Sequence, residues 1–182
     1  DGVNSAPNTP VVSVQNCYVA GNITGKGAVG GIMGTEPSCE CCWSNGVGTI
    51  SNNHFYGTLN ETSGTGYVGG IVGAGAAQTV SGSSSTVTGC YSMVKITDAA
   101  QFSGAVSGSD AGEFADNYFV SDTLSGLDTV SQTGKAEPIS YDELLDVPTV
   151  PDGMRQLELR FVADEETLKV QTFQYGDSFD ET

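Results

Sequence analysis

One short phrase occurs three times along this chain, and it restricts the fold more than any other feature. The first copy joins residues 16–19, Asn-Cys-Tyr-Val, to residues 29–34, Val-Gly-Gly-Ile-Met-Gly. The second joins residues 53–56 to 67–73, the third joins 89–92 to 102–108, and a remnant lies at 116–119. Repeats of this length cannot bury their own apolar face, so each copy has to stack on the next.

The periodicity within each copy is that of short strands separated by Gly, Asn, Ser and Thr turns. No window of eleven or more residues in 1–134 follows a helical period. The pattern predicts an all-β chain that forms a right-handed parallel β-solenoid over about residues 12–125. The side chains expected to face inward are Ile23, Val29, Ile32, Val68, Ile71, Val87, Ile96 and Val106.

Two columns of equivalent residues are expected to run along the stack. Tyr18, Phe55, Tyr91 and Tyr118 are 37, 36 and 27 residues apart and would stack on one another. A second, inward-facing column would hold Cys17, His54 and Cys90, with His54 buried and hydrogen-bonded.

The glycine pairs are expected to lie at the corners of the coil. Gly70 would there allow a positive φ or a close approach of two backbones, which a side chain would prevent.

The charge of the chain excludes some partners. The formal net charge is −16, with two cations and ten acids in residues 1–134 and four cations and twelve acids in residues 135–182. Nucleic acid and anionic membrane surfaces would be repelled by both parts. No apolar stretch approaches the roughly 20 residues that span a bilayer, so no membrane insertion is expected. The simplest interpretation of the acidity is solubility.

The sequence changes character after residue 134. Residues 135–151 are expected to form a linker with a short helix, in which Ser140 is the N-cap and Glu143 completes a capping box. Residues 152–182 are expected to form a β-hairpin, with Leu168 and Val170 on one face of its second strand. We interpret the chain, which starts at Asp1 and stops after this hairpin, as a fragment of a longer protein.

Five cysteines cannot all pair within one molecule. The cluster Cys39-Glu40-Cys41-Cys42-Trp43 lies in the connection after the first copy, where a local Cys39–Cys42 disulfide and unpaired thiols remain open alternatives. Zinc would require a second Cys pair or two histidines, and His54 is the only histidine. We therefore expect no metal and no cofactor.

Trp43 and Tyr67 are the candidate partner-binding residues. Trp43 would act as an exposed stacking group for a sugar or a protein, although the favoured interpretation is that it caps the apolar core of the first copy.

The repeated phrase at residues 16–34 and 53–73 resembles the GLUG repeat family, and the third copy and the remnant resemble it more weakly. GLUG repeats occur in large secreted and wall-attached bacterial proteins, including adhesin-like proteins and the non-catalytic part of immunoglobulin A peptidases. Residues 157–164 with 170–177 are similar to the first half of an internalin B-repeat module. The two resemblances imply a segment of a bacterial surface protein, located outside the cell, and supply no catalytic residues.

The function expected from these features is that of a non-enzymatic stalk or adhesion segment whose partner is a host glycan or an extracellular protein. The alternative is a carbohydrate-binding or non-catalytic accessory domain of a secreted peptidase or polysaccharide-degrading enzyme. An enzyme of the β-helix lyase or hydrolase class would need clustered carboxylates and a basic residue. Residues 1–134 offer scattered acids and only Lys26 and Lys95 as cations, so no catalytic residues are assigned.

Overall fold

The computed structural model describes residues 11–34, 47–74, 86–97, 100–110, 112–163 and 166–173. The structure is mostly β, with 53% strand and 7% helix, which is compatible with the expected all-β class. Contacts divide the chain into two compact units, Asp1–Ile139 and Ser140–Thr182.

The first unit consists of twelve described strands. In chain order they are β1 (Val11–Gln15), β2 (Tyr18–Gly25), β3 (Ala28–Gly30), β4 (Val47–Ser51), β5 (His54–Glu61), β6 (Tyr67–Gly69), β7 (Thr86–Thr88), β8 (Tyr91–Ile96), β9 (Phe102–Gly104), β10 (Glu113–Ala115), β11 (Asn117–Phe119) and β12 (Ala136–Pro138).

These strands form three parallel sheets, each taking one strand from successive copies. The first sheet has the order β1-β4-β7-β10, the second β12-β11-β8-β5-β2 and the third β3-β6-β9. Every pairing between copies is parallel and in register, so that Val11 lies beside Val47, Tyr18 beside His54, and Ala28 beside Tyr67. The expectation that equivalent strands stack in parallel is therefore confirmed.

A left-handed residue separates the first-sheet strand from the second-sheet strand in each copy. Asn16, Asn52, Gly89 and Asp116 occupy this position with φ angles of 56°, 55°, 64° and 53°. Asn, Asp and Gly adopt the left-handed region at least cost, which explains the choice of residues. The N–H of Asn16 donates to Ser51 O in the next copy at 3.1 Å, and the other three corners donate to their next segment in the same way. The same left-handed corner is therefore repeated in all four copies.

The glycine pairs are restricted by close approach between backbones. The φ angle of Gly70 does not lie in the left-handed region, so the positive φ considered for this residue is absent. A Cβ at Gly70 would instead overlap the carbonyl oxygen of Ala105 and the Oγ of Ser92 in the adjacent copy. The register also aligns the glycine pair with Gly104-Ala105 in the third copy.

The apolar core lies between the three sheets. Of the side chains expected to face inward, Val29, Val68, Ile71, Val87 and Val106 are buried, and Ile23, Ile32 and Ile96 are partly buried and packed against the same cluster. Phe55 and Phe119 are the largest fully buried side chains of this cluster. Apolar residues of neighbouring copies lie side by side, as Val29 beside Val68 and Ile50 beside Val87, so burial is shared between copies. A serine interrupts the column where Ser92 lies beside Phe55.

The second unit contains two short helices, α1 (Tyr141–Leu145) and α2 (Asp152–Arg155). Ser140 is the N-cap of α1 and forms the expected capping box with Glu143, which confirms that prediction. The Arg155 guanidinium donates to the carbonyls of Leu145 and Val147, and its Nε donates to Val150 O at 3.0 Å. These bonds join α2 to the end of α1.

Strands β13 (Leu157–Ala163) and β14 (Glu166–Phe173) form the expected antiparallel hairpin. The register places Phe161 opposite Lys169 and Arg160 opposite Val170, with an irregularity after Phe161. Cross-strand partners share a face, so Phe161 lies on the face of Lys169, whereas Val170 lies on the opposite face with Arg160. Phe161, Val162, Leu168 and Val170 are exposed. The two strands therefore do not combine into a single apolar face.

Gly70→Val should lower the free energy of unfolding of the first unit by on the order of 2–4 kcal/mol. The branched side chain would collide with the backbone at Ala105, which cannot move without breaking the register of the third sheet. Gly25→Ala is the matched control, because a Cβ there meets only the Val29 side chain, at 3.0 Å. Thermal melting checks both variants. An unchanged melting temperature for Gly70→Val would contradict the close approach.

Candidate binding surface

A column of aromatic side chains runs along the outer face of the second sheet. The register aligns Tyr18, His54, Tyr91 and Tyr118, and we call these four residues the tyrosine column. The rings of His54 and Tyr91 are stacked, with centroids 5.4 Å apart and planes 7° apart. Tyr91 and Tyr118 stack at 5.4 Å and 24°. Such pairs contribute about 0.5–1.5 kcal/mol each beyond the area they bury.

Phe55 does not belong to this column, which corrects the sequence prediction. The register pairs Phe55 with Val19 and Ser92, and its side chain is fully buried in the core. Aligning the copies by their aromatic residues shifted the second copy by one residue. In a strand, a shift of one residue moves a side chain to the opposite face of the sheet. His54 therefore lies on the outer face with the tyrosines and not in a column with Cys17 and Cys90.

His54 is buried, as expected, with 5% of its surface exposed. Its Nε2 atom has no hydrogen-bond partner among the described residues, so the expected hydrogen bond is not found at this atom. Burial lowers the pKa of His54 below its usual value of 6.5, because the charged imidazolium is poorly solvated there. The imidazole therefore serves as a neutral stacking ring.

Burial also raises the pKa of Tyr18 and of Tyr91 above 10.0, with smaller contributions from Tyr56 at Tyr18 and from Tyr118 and Asp116 at Tyr91. Both phenols therefore stay protonated across the physiological range, and their hydroxyls can donate hydrogen bonds.

The position before each residue of the tyrosine column alternates between cysteine and asparagine, which the sequence analysis missed: Cys17, Asn53, Cys90 and Asn117 follow one another in successive copies. Asn53 is fully buried, accepts from the N–H of Cys17 at 2.9 Å and donates to Val14 O at 2.8 Å. Asn117 makes the equivalent bonds two copies later: its side chain accepts from Cys90 N–H at 3.1 Å and donates to Val87 O at 2.9 Å. The signal available in the sequence was the position of the two asparagines. Each directly precedes an aromatic residue of the repeated phrase, as Cys17 and Cys90 do in the other copies.

The two described cysteines are both free thiols with different surroundings. Cys90 is fully buried, and burial raises its pKa to about 11, so it carries no thiolate at neutral pH. Cys17 is exposed, which contradicts the inward position expected for it. It belongs to the first described copy, so only one neighbouring copy covers it. Cys39 and Cys42 lie outside the described residues, and so does Trp43.

Tyr67, the other candidate partner-binding residue, lies on the outer face of the third sheet. Its ring stacks on Phe102 with centroids 4.5 Å apart and planes 16° apart. We call Tyr67 and Phe102 the ring pair. The same register places Ala28 beside Tyr67 in the first copy. Both Tyr67 and Ala28 are half-buried.

A buried carboxylate holds the loop next to the ring pair. Glu61 is 1% exposed, and its oxygens accept from the N–H groups of Gly27, Ser63, Gly64 and Gly66 at 3.0, 2.8, 2.8 and 3.2 Å. The Ser63 hydroxyl donates a further bond of 2.5 Å. This hydroxyl and the N–H donors outweigh burial and lower the pKa of Glu61 to about 2. Glu61 is therefore ionised at neutral pH, and its carboxylate stabilises the conformation of this loop.

The described residues contain no group of three or more His, Cys, Asp or Glu side chains placed to hold a metal ion. Neither described helix reaches the length and hydropathy that a membrane-crossing helix requires. The outer faces of the second and third sheets carry the stacked aromatic rings.

Glu61→Gln should lower the melting temperature at pH 7, because an amide group would turn a donor toward N–H groups that need an acceptor. The folded pKa of about 2 lies below the usual 4.5, so the carboxylate stabilises the fold above pH 4.5 and this stabilisation is lost as the pH falls toward 2. The difference between variant and wild type should shrink over that window. Glu113→Gln, at an exposed position, is the control. A difference that does not change with pH would contradict the mechanism.

His54→Tyr should reduce the loss of stability on acidification below pH 6.5. The lowered pKa of His54 means that the unfolded chain binds a proton more readily than the folded one, so wild-type stability falls as the pH drops below 6.5. A tyrosine at position 54 would continue the tyrosine column, and its side chain does not change protonation state in this pH range. Because His54 is the only histidine, melting curves between pH 7.5 and pH 5.5 isolate the effect. Equal slopes for variant and wild type would show that His54 does not couple folding to protonation.

Comparison with known proteins returned no match. No protein-family model, no curated protein and no solved structure matches the chain. The resemblance to GLUG repeats and to the internalin B-repeat module therefore stays a prediction from the sequence motifs.

Proposed function

We propose that this chain is a non-enzymatic stalk and adhesion segment of a bacterial cell-surface protein, built on a right-handed parallel β-solenoid. The observation that carries the proposal is the one-to-one register of equivalent strands across all three sheets. Parallel strands of one sheet are about 4.8 Å apart, so every added copy would lengthen such a stack by that amount without a new kind of contact. A stack with this property is suited to hold a binding surface away from a cell.

The contacts of the buried polar side chains support a structural role. The Glu61 carboxylate accepts bonds from backbone N–H groups, Asn53 bonds the backbone of the preceding copy, and His54 stacks on Tyr91. In each case the polar or aromatic group of the side chain contacts a neighbouring copy. An extracellular location and the relation to GLUG repeats belong to the same proposal and rest on the sequence motifs.

The second candidate function is that of a carbohydrate-binding accessory domain in a secreted peptidase or polysaccharide-degrading enzyme. The observation in its favour is the ring pair, whose half-buried tyrosine lies on the outer face of a sheet. Stacked aromatic side chains with adjacent hydroxyls are a frequent means of holding a ligand by both its apolar and its polar surface.

The test is to immobilise the chain and measure binding to a panel of glycans and extracellular matrix proteins. A segment with an adhesive role should bind at least one member and release it chemically unchanged, as mass spectrometry of the recovered ligand would show. Turnover of any panel member would overturn the non-enzymatic proposal. Binding of matrix proteins alone would favour adhesion over the accessory-domain alternative.

A further inference from the structure

The strands of the first described copy lie at the free edges of all three sheets. Strands β1, β2 and β3 each stand at one end of the strand order of their sheet. Inward side chains of this copy are less covered than those of the next copy. Val19 and Ile23 are half-buried, whereas their strand neighbours Phe55 and Leu59 are fully buried. We call the free side of β1, β2 and β3 the amino-terminal edge.

Alternate backbone groups of β2 point to this free side. The N–H of His54 donates to Cys17 O at 2.8 Å, and the N–H of Thr62 donates to Gly25 O at 2.9 Å, so the odd-numbered residues of this segment bond to β5. In a parallel ladder the residues between them direct their N–H and C=O groups to the other side. Among the described residues, no strand lies on that side of β2. The unpaired backbone groups belong to Tyr18, Ala20, Asn22 and Thr24.

The amino-terminal edge lacks the features that prevent edge strands from pairing with other chains. At the other end of the first two sheets, β10 carries Glu113 and β12 carries Glu137 and Pro138. Charged residues and proline on an edge strand oppose such pairing. Strands β1, β2 and β3 contain neither. Of residues 11–34 only Lys26 is charged, so the negative charge of the chain lies away from this edge. The edge is therefore suited to accept a strand from another molecule.

We propose that the amino-terminal edge binds a second molecule of this chain, with β2 antiparallel to β2 of that molecule across a two-fold axis at Gly21. In this register Ala20 lies opposite Asn22 of the second molecule, and Tyr18 lies opposite Thr24. All four residues direct their N–H and C=O groups across the edge, so about eight hydrogen bonds form between the molecules. This inference goes beyond the proposed function and does not depend on it.

The same register brings the incompletely covered apolar side chains together. Val19 lies opposite Ile23 of the second molecule, because directly opposite residues of an antiparallel pair share a face. Both are inward-facing and half-buried, so each covers exposed surface of the other. Gly21 lies on the axis, where it has no side chain to crowd its equivalent. A slip of one residue would place Val19 opposite an outward-facing residue. Both molecules use the same strand, so the contact closes as a dimer.

Ala20→Pro tests the contact without removing a hydrogen bond inside the first unit. The N–H of Ala20 points to the free side of β2, so the substitution removes a donor to the second molecule, and proline is tolerated where an edge strand directs its N–H away from the sheet. Ala20→Val is the matched control at the same exposed position, because it keeps the N–H and favours a strand. Thermal melting verifies that both variants are folded.

Sedimentation equilibrium of the full chain between about 5 μM and about 1 mM measures the association. We expect a monomer–dimer equilibrium for the wild type and for Ala20→Val, and a dissociation constant raised about tenfold or more in Ala20→Pro. A wild type that stays monomeric over this range overturns the proposal, and so does a dimer that a folded Ala20→Pro leaves unchanged. Assembly beyond the dimer also overturns it, because a two-fold contact cannot extend.

Amide hydrogen exchange of the wild type is a second readout, which applies even if Ala20→Pro does not fold. The N–H groups of Ala20 and Asn22 should be protected at about 1 mM and should exchange rapidly at about 5 μM. Those of Val19 and Ile23, which face β5, should be protected at both concentrations. Protection of Ala20 and Asn22 at both concentrations would mean that the chain itself covers the edge, and rapid exchange at both would mean that the edge stays open. Either result overturns the proposal.

Discussion

In-register pairing of parallel strands from successive copies is the constraint on which the first unit depends. A strand of a single copy has no partner within that copy, so its backbone N–H and C=O groups are satisfied by the next copy. The corner residues show the dependence most directly, since Asn16 N–H bonds to Ser51 O and Asn52 N–H bonds to Thr88 O. A change that shifts one copy by a residue would break these bonds in all three sheets and turn core side chains outward.

Side chains inside the stack reinforce the same register. Asn53 and Asn117 each bond one N–H and one C=O of the preceding copy, and leaving such buried groups unpaired would cost about 1–3 kcal/mol each. Glu61 extends the principle to a loop by using a buried carboxylate as the acceptor for five donors. These polar groups act over short distances and defined directions. They therefore specify which residue lies beside which, whereas apolar burial alone would tolerate sliding.

The surface chemistry follows from the register as well. Equivalent residues line up along each sheet, so an aromatic residue in the repeated phrase becomes a column of rings, as from His54 through Tyr91 to Tyr118. Where one copy departs from the pattern, the column is interrupted. Ala28 is such a departure on the third sheet, where the aligned residues Tyr67 and Phe102 form a stacked pair.

The sequence by itself determined the existence of stacked copies, their strand character and most of the core, because a fixed repeat of short apolar runs can bury itself only against its neighbours. Ile71 and Val106 could be placed inward, and the capping box at Ser140 could be read from local spacing, for this reason. Tertiary structure decided the register between copies, which placed His54 on the outer face of the second sheet and Phe55 in the core. It also decided that Gly70 is restricted by the backbone of Ala105 rather than by its own φ angle. Those facts depend on which residues of distant copies meet. A one-residue difference in alignment is small in sequence, yet in a strand it separates the core from the surface.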